Sequence, residues 1–295
     1  MIRKKRNINY GLLFIAPFLI GLLVFRMIPF LYTLVMSFTN WNLMTGEKSF
    51  NGIDNYKRLL TDKTFMISLK NTVKLWAMNI FPRLAIAMLC AVIFTQSRIK
   101  GKGLFKLIFY FPNLVNSATI AILAALLMGW QNGYLNRLLL QMNLIRQPFN
   151  WLGQPVTAQR IVAAIIWWQW FGYSAIMFAT GILNVSTEYL EAATVDGANS
   201  WQKFWKITFP LIRPTVAYVF LTTLIGGLQN FEIPRVITDG LGAPDKSLLT
   251  MTMQMHTLAF RSMQYGYGSA YAIGIFMTTA VFAGVSYRFI NNKES

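Results

Sequence analysis

Six long apolar stretches constrain this chain more than any other feature. Crossing the hydrocarbon core of a bilayer takes about 20 mostly apolar residues in helical form. Six segments reach that length: 12–38, 72–95, 107–129, 161–183, 215–233 and 268–287. Lipid offers no partner to a backbone N–H or C=O, so each segment must satisfy its own and therefore be a helix. Only 13% of the residues are charged and 55% are hydrophobic, against about 25% charged in a soluble domain. The predicted fold is all-α: a polytopic integral membrane protein with six transmembrane helices, one domain over 1–295. Arg3-Lys4-Lys5-Arg6 before the first segment resembles the start of a signal peptide. The apolar run behind it is too long for one and no small-x-small cleavage site follows, so it reads as a retained span.

Orientation follows from Lys and Arg. With both termini cytoplasmic, the inner segments 1–10, 96–106, 184–214 and 288–295 carry about twice the basic density of the outer segments 40–70, 130–157 and 236–263. The basic cluster at 3–6 and Arg98, Lys100, Lys102 and Lys106 decide the matter. The net charge of +17 would also suit a nucleic-acid binder. No basic stripe interleaved with aromatics occurs, however, and anionic lipid headgroups account for charge parcelled among short loops.

Enzyme chemistry finds no foothold. One Cys (Cys90) and one His (His256) exclude a disulfide framework and a His/Cys metal cluster. No catalytic motif is present, so no catalytic, metal or cofactor residue is assigned. The segment Gly240-Leu-Gly-Ala-Pro-Asp245-Lys246-Ser247 approaches a phosphate-binding loop, but Asp245 stands where the second Gly must precede the Lys. ATP, if used, must be bound by another subunit.

The inner loop 184–214 is the most informative segment. Ser186 or Thr187 can cap a short helix with Glu188 in its first turn, where the helix dipole favours negative charge. Asp196-Gly197 signals a turn. Asn199 or Ser200 can cap a second helix, with Trp201, Phe204, Trp205 and nearly Thr208 on one face, set to lie under the membrane domain. Pro210 should end that helix and Pro214 begin the next span.

Glu191, Ala192, Ala193, Asp196, Gly197, Ala198, Phe204, Ile207 and Pro210 together resemble the E-A-A-x-x-D-G-A…I-x-x-P loop of the membrane subunits of binding-protein-dependent ABC importers, with Phe209 where Leu is usual. The resemblance implies that 184–214 is a coupling loop docking on a cytoplasmic ATPase. It extends to Phe50-Asn-Gly52-Ile-Asp-Asn55-Tyr56, to Phe231-Glu232 with Thr238-Asp-Gly240-Leu-Gly242-Ala-Pro244, and to Tyr265-Gly266-Tyr267-Gly268-Ser269-Ala270. These are similar to segments of the carbohydrate branch, although Glu232 replaces the commoner Asp and the Gly-Gly-Pro is spread out. The chain thus resembles the first of two dissimilar permeases in a maltose-transporter-like system of the bacterial cytoplasmic (inner) membrane. Implied partners are a second permease, an ATPase dimer that binds the ATP, an extracytoplasmic solute-binding protein and a sugar or oligosaccharide. A non-sugar ABC importer would share the loop but not the outer segments; a six-span secondary transporter would explain the spans but not the loop, and no inverted repeat is seen.

A substrate path needs hydrogen-bonding groups inside apolar spans. Gln229 and Glu232, three apart with Asn230 beside them, share a helical face near the outer end of the fifth span. Gln169 and Tyr173 share a face of the fourth, next to Trp170. Polar side chains turned to lipid are costly, so both faces should point into the bundle. The alternative is that Gln and Asn bridge helices and Glu232 pairs with Arg235. Trp41, Trp130, Tyr134 and Trp151 read as interfacial belt residues. Small residues at four-residue spacing, Ala121/Ala125, Ala270/Gly274/Thr278 and Ala280/Gly284, supply packing seams.

Overall fold

A computed structural model describes residues 10–96 and 101–291. The cluster at 3–6, with Arg98 and Lys100, lies outside the described residues. α1 (Tyr10–Leu22) and α2 (Ile28–Met36) join through a π-turn at Leu23–Met27 into one apolar span, 14–36. The turn has a local cause. Pro29 has no N–H for the carbonyl of Phe25, four residues back, so the ladder widens there instead of breaking. α3 (Asp54–Thr61), α4 (Lys63–Gln96), α5 (Lys102–Leu114), α6 (Ser117–Leu127), α7 (Tyr134–Gln141) and α8 (Pro155–Leu183) follow. Then come α9 (Thr187–Val195), α10 (Ser200–Lys203), α11 (Phe209–Leu211), α12 (Arg213–Leu228), α13 (Glu232–Ile237), α14 (Met251–His256) and α15 (Tyr265–Asn291). No named strand occurs among the described residues, so the all-α membrane fold holds.

The chain divides into two compact units. The first, 1–61 with 255–274, contains the Phe50–Tyr56 segment. Asn55 is buried there, and its amide donates to the carbonyls of Ser37 (2.9 Å) and Thr39 (2.7 Å). The Arg58 guanidinium lies 3.9 Å from the Tyr267 ring centroid.

The second unit, 62–254 with 275–295, is built around α8. More than half of the apolar window of α8 is buried, the largest share of any span. One core cluster joins Leu75, Ile120, Ala121, Val162, Ile166, Ile233 and Leu248; another joins Ala87 and Ala91 to Ala175, Phe178, Ala179, Ile212 and Val219. Small residues four apart thus let α4 and α8 approach closely, as helices in lipid require. The Ala87/Ala91 and Ala175/Ala179 seam was not among those expected, whereas Ala280 and Gly284 are exposed. α8 also meets α5 closely: a Cβ on Gly172 would stand 1.9 Å from the Phe109 carbonyl oxygen.

Expectation and structure part at 107–129. In place of one straight span, α5 and α6 meet at a 90° bend. Pro112 ends the run of good helical donors, Val115 is extended (φ −82°, ψ 136°), and the Asn116 side chain caps α6 by accepting from the Ala118 N–H at 2.8 Å. Among the described residues, five helices are long and apolar enough to span a membrane, six with the bent pair counted as one.

Candidate functional site

The loop 184–214 is made as its residues dictate, up to its last turn. Ser186 caps α9 by accepting from the Glu188 N–H (3.3 Å). Its other end is a Schellman cap. The Ala198 N–H donates to the Ala193 carbonyl (2.9 Å) and the Gly197 N–H to the Thr194 carbonyl (3.1 Å), with Gly197 at φ +78°. The Asp-Gly-Ala string is therefore the code for a helix stop, and Gly takes the left-handed position at the least cost. Asn199 and Gln202 close a capping box on α10, each at 2.9 Å, and the Lys203 ammonium reaches the Thr194 hydroxyl at 2.6 Å.

Pro210 does not end the second helix. A π-turn at Phe204–Thr208, closed by the Phe209 N–H on the Phe204 carbonyl, precedes Pro210, and the chain stays helical to Leu211 before Ile212 breaks it. The wider turn also splits the expected face. Phe204 and Thr208 are buried, while Trp201 and Trp205 are exposed. Glu191, Ala192, Asp196 and Gly197 are exposed, Ala198 is half-buried and Ala193 is buried. Asp196, Gly197 and Ala198 line a shallow depression of about 290 Å³ with Gln202, Lys206 and Ile207. The loop therefore presents a carboxylate, small residues and two uncovered indoles beside one another.

The second site is a cavity of about 500 Å³ among α4, α6, α8, α12 and α13. Gln169, Trp170, Tyr173, Gln229, Asn230 and Glu232 all line it. The fourth-span pair shares a face of α8 as expected. The fifth-span group does not share a helical face: α12 stops at Leu228, residues 229–231 are non-helical, and α13 begins at Glu232. The polar run interrupts the helix outright, and the break points its residues into the cavity.

Gln169 has a second occupation. Only 2% exposed, its amide donates to the Val115 carbonyl (3.1 Å) and to the Ser117 hydroxyl (3.0 Å), which fastens the α5–α6 bend. The bridging role is what its bonds describe. Trp170 and Tyr173 meet edge to face, while Trp168 is exposed and lines no part of the cavity.

Five polar lining residues lay outside the sequence reading: Asn79, Arg83, Ser117, Thr222 and Thr223. Arg83 stands in the middle of the second apolar segment, where a charge is itself a signal. Its Nε donates to the Ser174 hydroxyl (2.9 Å), and its guanidinium faces Trp170 with 5.6 Å to the ring centroid. Asn79 Oδ1 and Thr223 Oγ1 are buried without a hydrogen-bond partner. Away from the cavity lining, Gln159 donates to the Ser247 carbonyl (2.8 Å) and Asn71 to the Lys246 carbonyl (2.6 Å), which clasps the 238–250 segment onto α4 and α8.

Comparison with known proteins agrees with this architecture. The family model for the inner membrane component of binding-protein-dependent transport systems matches residues 75–293. A probable ABC transporter permease protein of Bacillus subtilis, YesP, is 35% identical over 92% of this chain and 86% of its own length. The lactose transport system permease protein LacF of Rhizobium radiobacter is 29% identical over 97% of this chain and 95% of its own. Among solved structures, a bacterial ABC transporter involved in the import of the acidic polysaccharide alginate contains a chain of the same fold. Its TM-score is 0.77 and its identity 21%, over 96% of this chain and 94% of that one. With most of its length inside the family match and its helices long enough to cross a membrane several times, this chain belongs to the inner-membrane components of binding-protein-dependent transport systems.

Proposed function

We propose that this chain is the permease subunit of an ATP-driven sugar importer, that the cavity around α8 is its share of the sugar path, and that 184–214 is the segment on which a cytoplasmic ATPase docks. The observation that supports the path most directly is the convergence of six polar and aromatic residues from separate spans on one cavity. Its volume lies in the range of roughly 300–1,000 Å³ typical of small-molecule sites. Sugar hydroxyls need donors and acceptors, which Asn230, Gln229, Glu232 and Asn79 offer, and the apolar faces of sugar rings suit Trp170 and Tyr173. Relatives whose names specify lactose, arabinooligosaccharides or multiple sugars support the substrate class.

In this reading both termini are cytoplasmic, and a second permease completes the path that a solute-binding protein feeds from outside. Two ATPase subunits bind and hydrolyse the ATP for which this chain has no site. ATP binding biases a two-state bundle through contacts that differ between the states. The exposed Glu191 and the indoles of Trp201 and Trp205 supply charge and apolar area for that contact.

The test is uptake of a panel of radiolabelled mono- and oligosaccharides into proteoliposomes holding the whole importer, with its binding protein outside. Asn230→Ala and Tyr173→Ala should each lower uptake several-fold while the complex assembles and hydrolyses ATP. Normal uptake by both variants would move the path to the partner permease. A reporter fused after Ser295 should be cytoplasmic, and one at Asp239 external; an external 184–214 would end the docking argument.

A further inference from the structure

The lining of the cavity holds one cation and one anion, and they differ in their surroundings. Arg83 is 6% exposed, deep in the longest helix of the second unit. Its Nε is bound to the Ser174 hydroxyl, and no carboxylate among the described residues lies within salt-bridge distance of it. Glu232, also on the lining, is exposed. An Arg buried in a membrane span is costly and is retained where it meets a pathway or a counter-charge. With Nε engaged, the fork that remains is the pair of terminal nitrogens, which matches the two oxygens of a carboxylate.

We propose that the cavity takes a saccharide bearing a single carboxylate, a uronate unit, with that carboxylate paired to Arg83. This rests on the reading of the cavity as the sugar path. The rest of the lining suits the rest of such a ligand. Trp170, already against the guanidinium, offers an aromatic face to the ring that carries the carboxylate. Gln229 and Asn230 on the lining can engage its hydroxyls, as can Glu232 as an acceptor. Glu232 also limits the charge. One Arg and one Glu leave the cavity neutral, which accommodates a monoanion better than the dianion of a sugar phosphate.

The experiment compares uptake of radiolabelled digalacturonate, its methyl ester, galactobiose and galactose 6-phosphate by the complete importer in proteoliposomes with its binding protein. The wild type should take up digalacturonate in preference to the two neutral disaccharides and the phosphate. Arg83→Gln should lower digalacturonate uptake roughly 10- to 100-fold, the loss expected of a hydrogen bond to a charged group, and lower uptake of the methyl ester far less, the residual loss being that of the Ser174 bond. Arg83→Lys keeps the charge but not the fork, so it should fall between. Preference for the neutral sugars or the phosphate by the wild type overturns the inference without any variant. So does an equal loss of charged and neutral uptake in assembled Arg83→Gln complexes. Failure of the underlying path reading looks different: Asn230→Ala and Tyr173→Ala would then leave uptake of every probe unchanged.

Discussion

The cavity wall and the 184–214 loop use polar residues in opposite ways. On the wall, candidate ligand groups also hold the fold together: Gln169 fastens the α5–α6 bend and Arg83 links α4 to α8 through Ser174. In the loop, the fold is held by backbone caps and short local bonds, while Glu191, Val195, Trp201 and Trp205 stay exposed. The reason is the solvent. A polar group left unpaired in a span costs several kcal/mol, so Gln169 and Arg83 have structural partners, whereas Asn79 Oδ1 and Thr223 Oγ1 stand as exceptions. A loop in water can leave its recognition groups free. Loss of activity therefore carries different information in the two regions, and substitutions can force the distinction.

The largest effect should come from the loop. Glu191→Lys replaces an exposed carboxylate by a cation, and away from packed contacts such changes alter stability by only about 0.5 kcal/mol. Membrane protein level should be normal while sugar uptake and sugar-stimulated ATP hydrolysis fall to background. Normal uptake would break the comparison, because the loop would then carry no function. Loss of the protein itself would make Glu191 structural.

Next is Gly172→Ala on the wall side. Its Cβ would sit 1.9 Å from the Phe109 carbonyl oxygen, so α5 and α8 must separate. Overpacking of this kind costs about 1–3 kcal/mol, and thermal denaturation of the purified complex should shift down by several degrees, with every activity falling in proportion. An unchanged melt would mean that the two helices have room to slide.

Gln169→Leu and Asn230→Ala then sharpen the contrast within the cavity. Leu at 169 strands the Val115 carbonyl and the Ser117 hydroxyl, a loss of about 1–3 kcal/mol that the melt should register. Asn230 lies in the helix break, and its loss should lower uptake without moving the melt. If both variants melt like the wild type, Gln169 belongs with the ligand groups and not with the supports.

What the sequence disclosed follows the same division. Polar side chains in apolar runs were visible from composition, so Gln169, Tyr173 and the 229–232 group could be placed at a common site. The loop was legible because capping and turn chemistry are local: Ser186, Gly197 and Asn199 do what their residue types favour. The bend at Val115 was not, since residues on both sides are equally apolar and hydropathy is blind to direction. The π-turns before Pro29 and Pro210 escaped because proline reads as a stop, whereas a helix can widen by one residue per turn to free the carbonyl. Arg83 was legible and passed over; its charge was absorbed into an apolar segment by averaging.

The smallest expected effect tests the loop's autonomy. Asn199→Ala removes the side chain that accepts from the Gln202 N–H and opens the capping box, at a cost of about 1 kcal/mol. α10 is only one turn long, so the loss should stay local. In the isolated permease, amide hydrogen exchange at Gln202 and Lys203 should speed up about fivefold, the rate ratio that corresponds to about 1 kcal/mol. In the assembled importer an ATPase seated on this loop would cover the same amides, and the difference between variant and wild type should shrink or vanish. If exchange at these amides is as fast in the assembled importer as in the isolated permease, the loop is uncovered there. The surface that receives the ATPase must then be sought elsewhere on the chain.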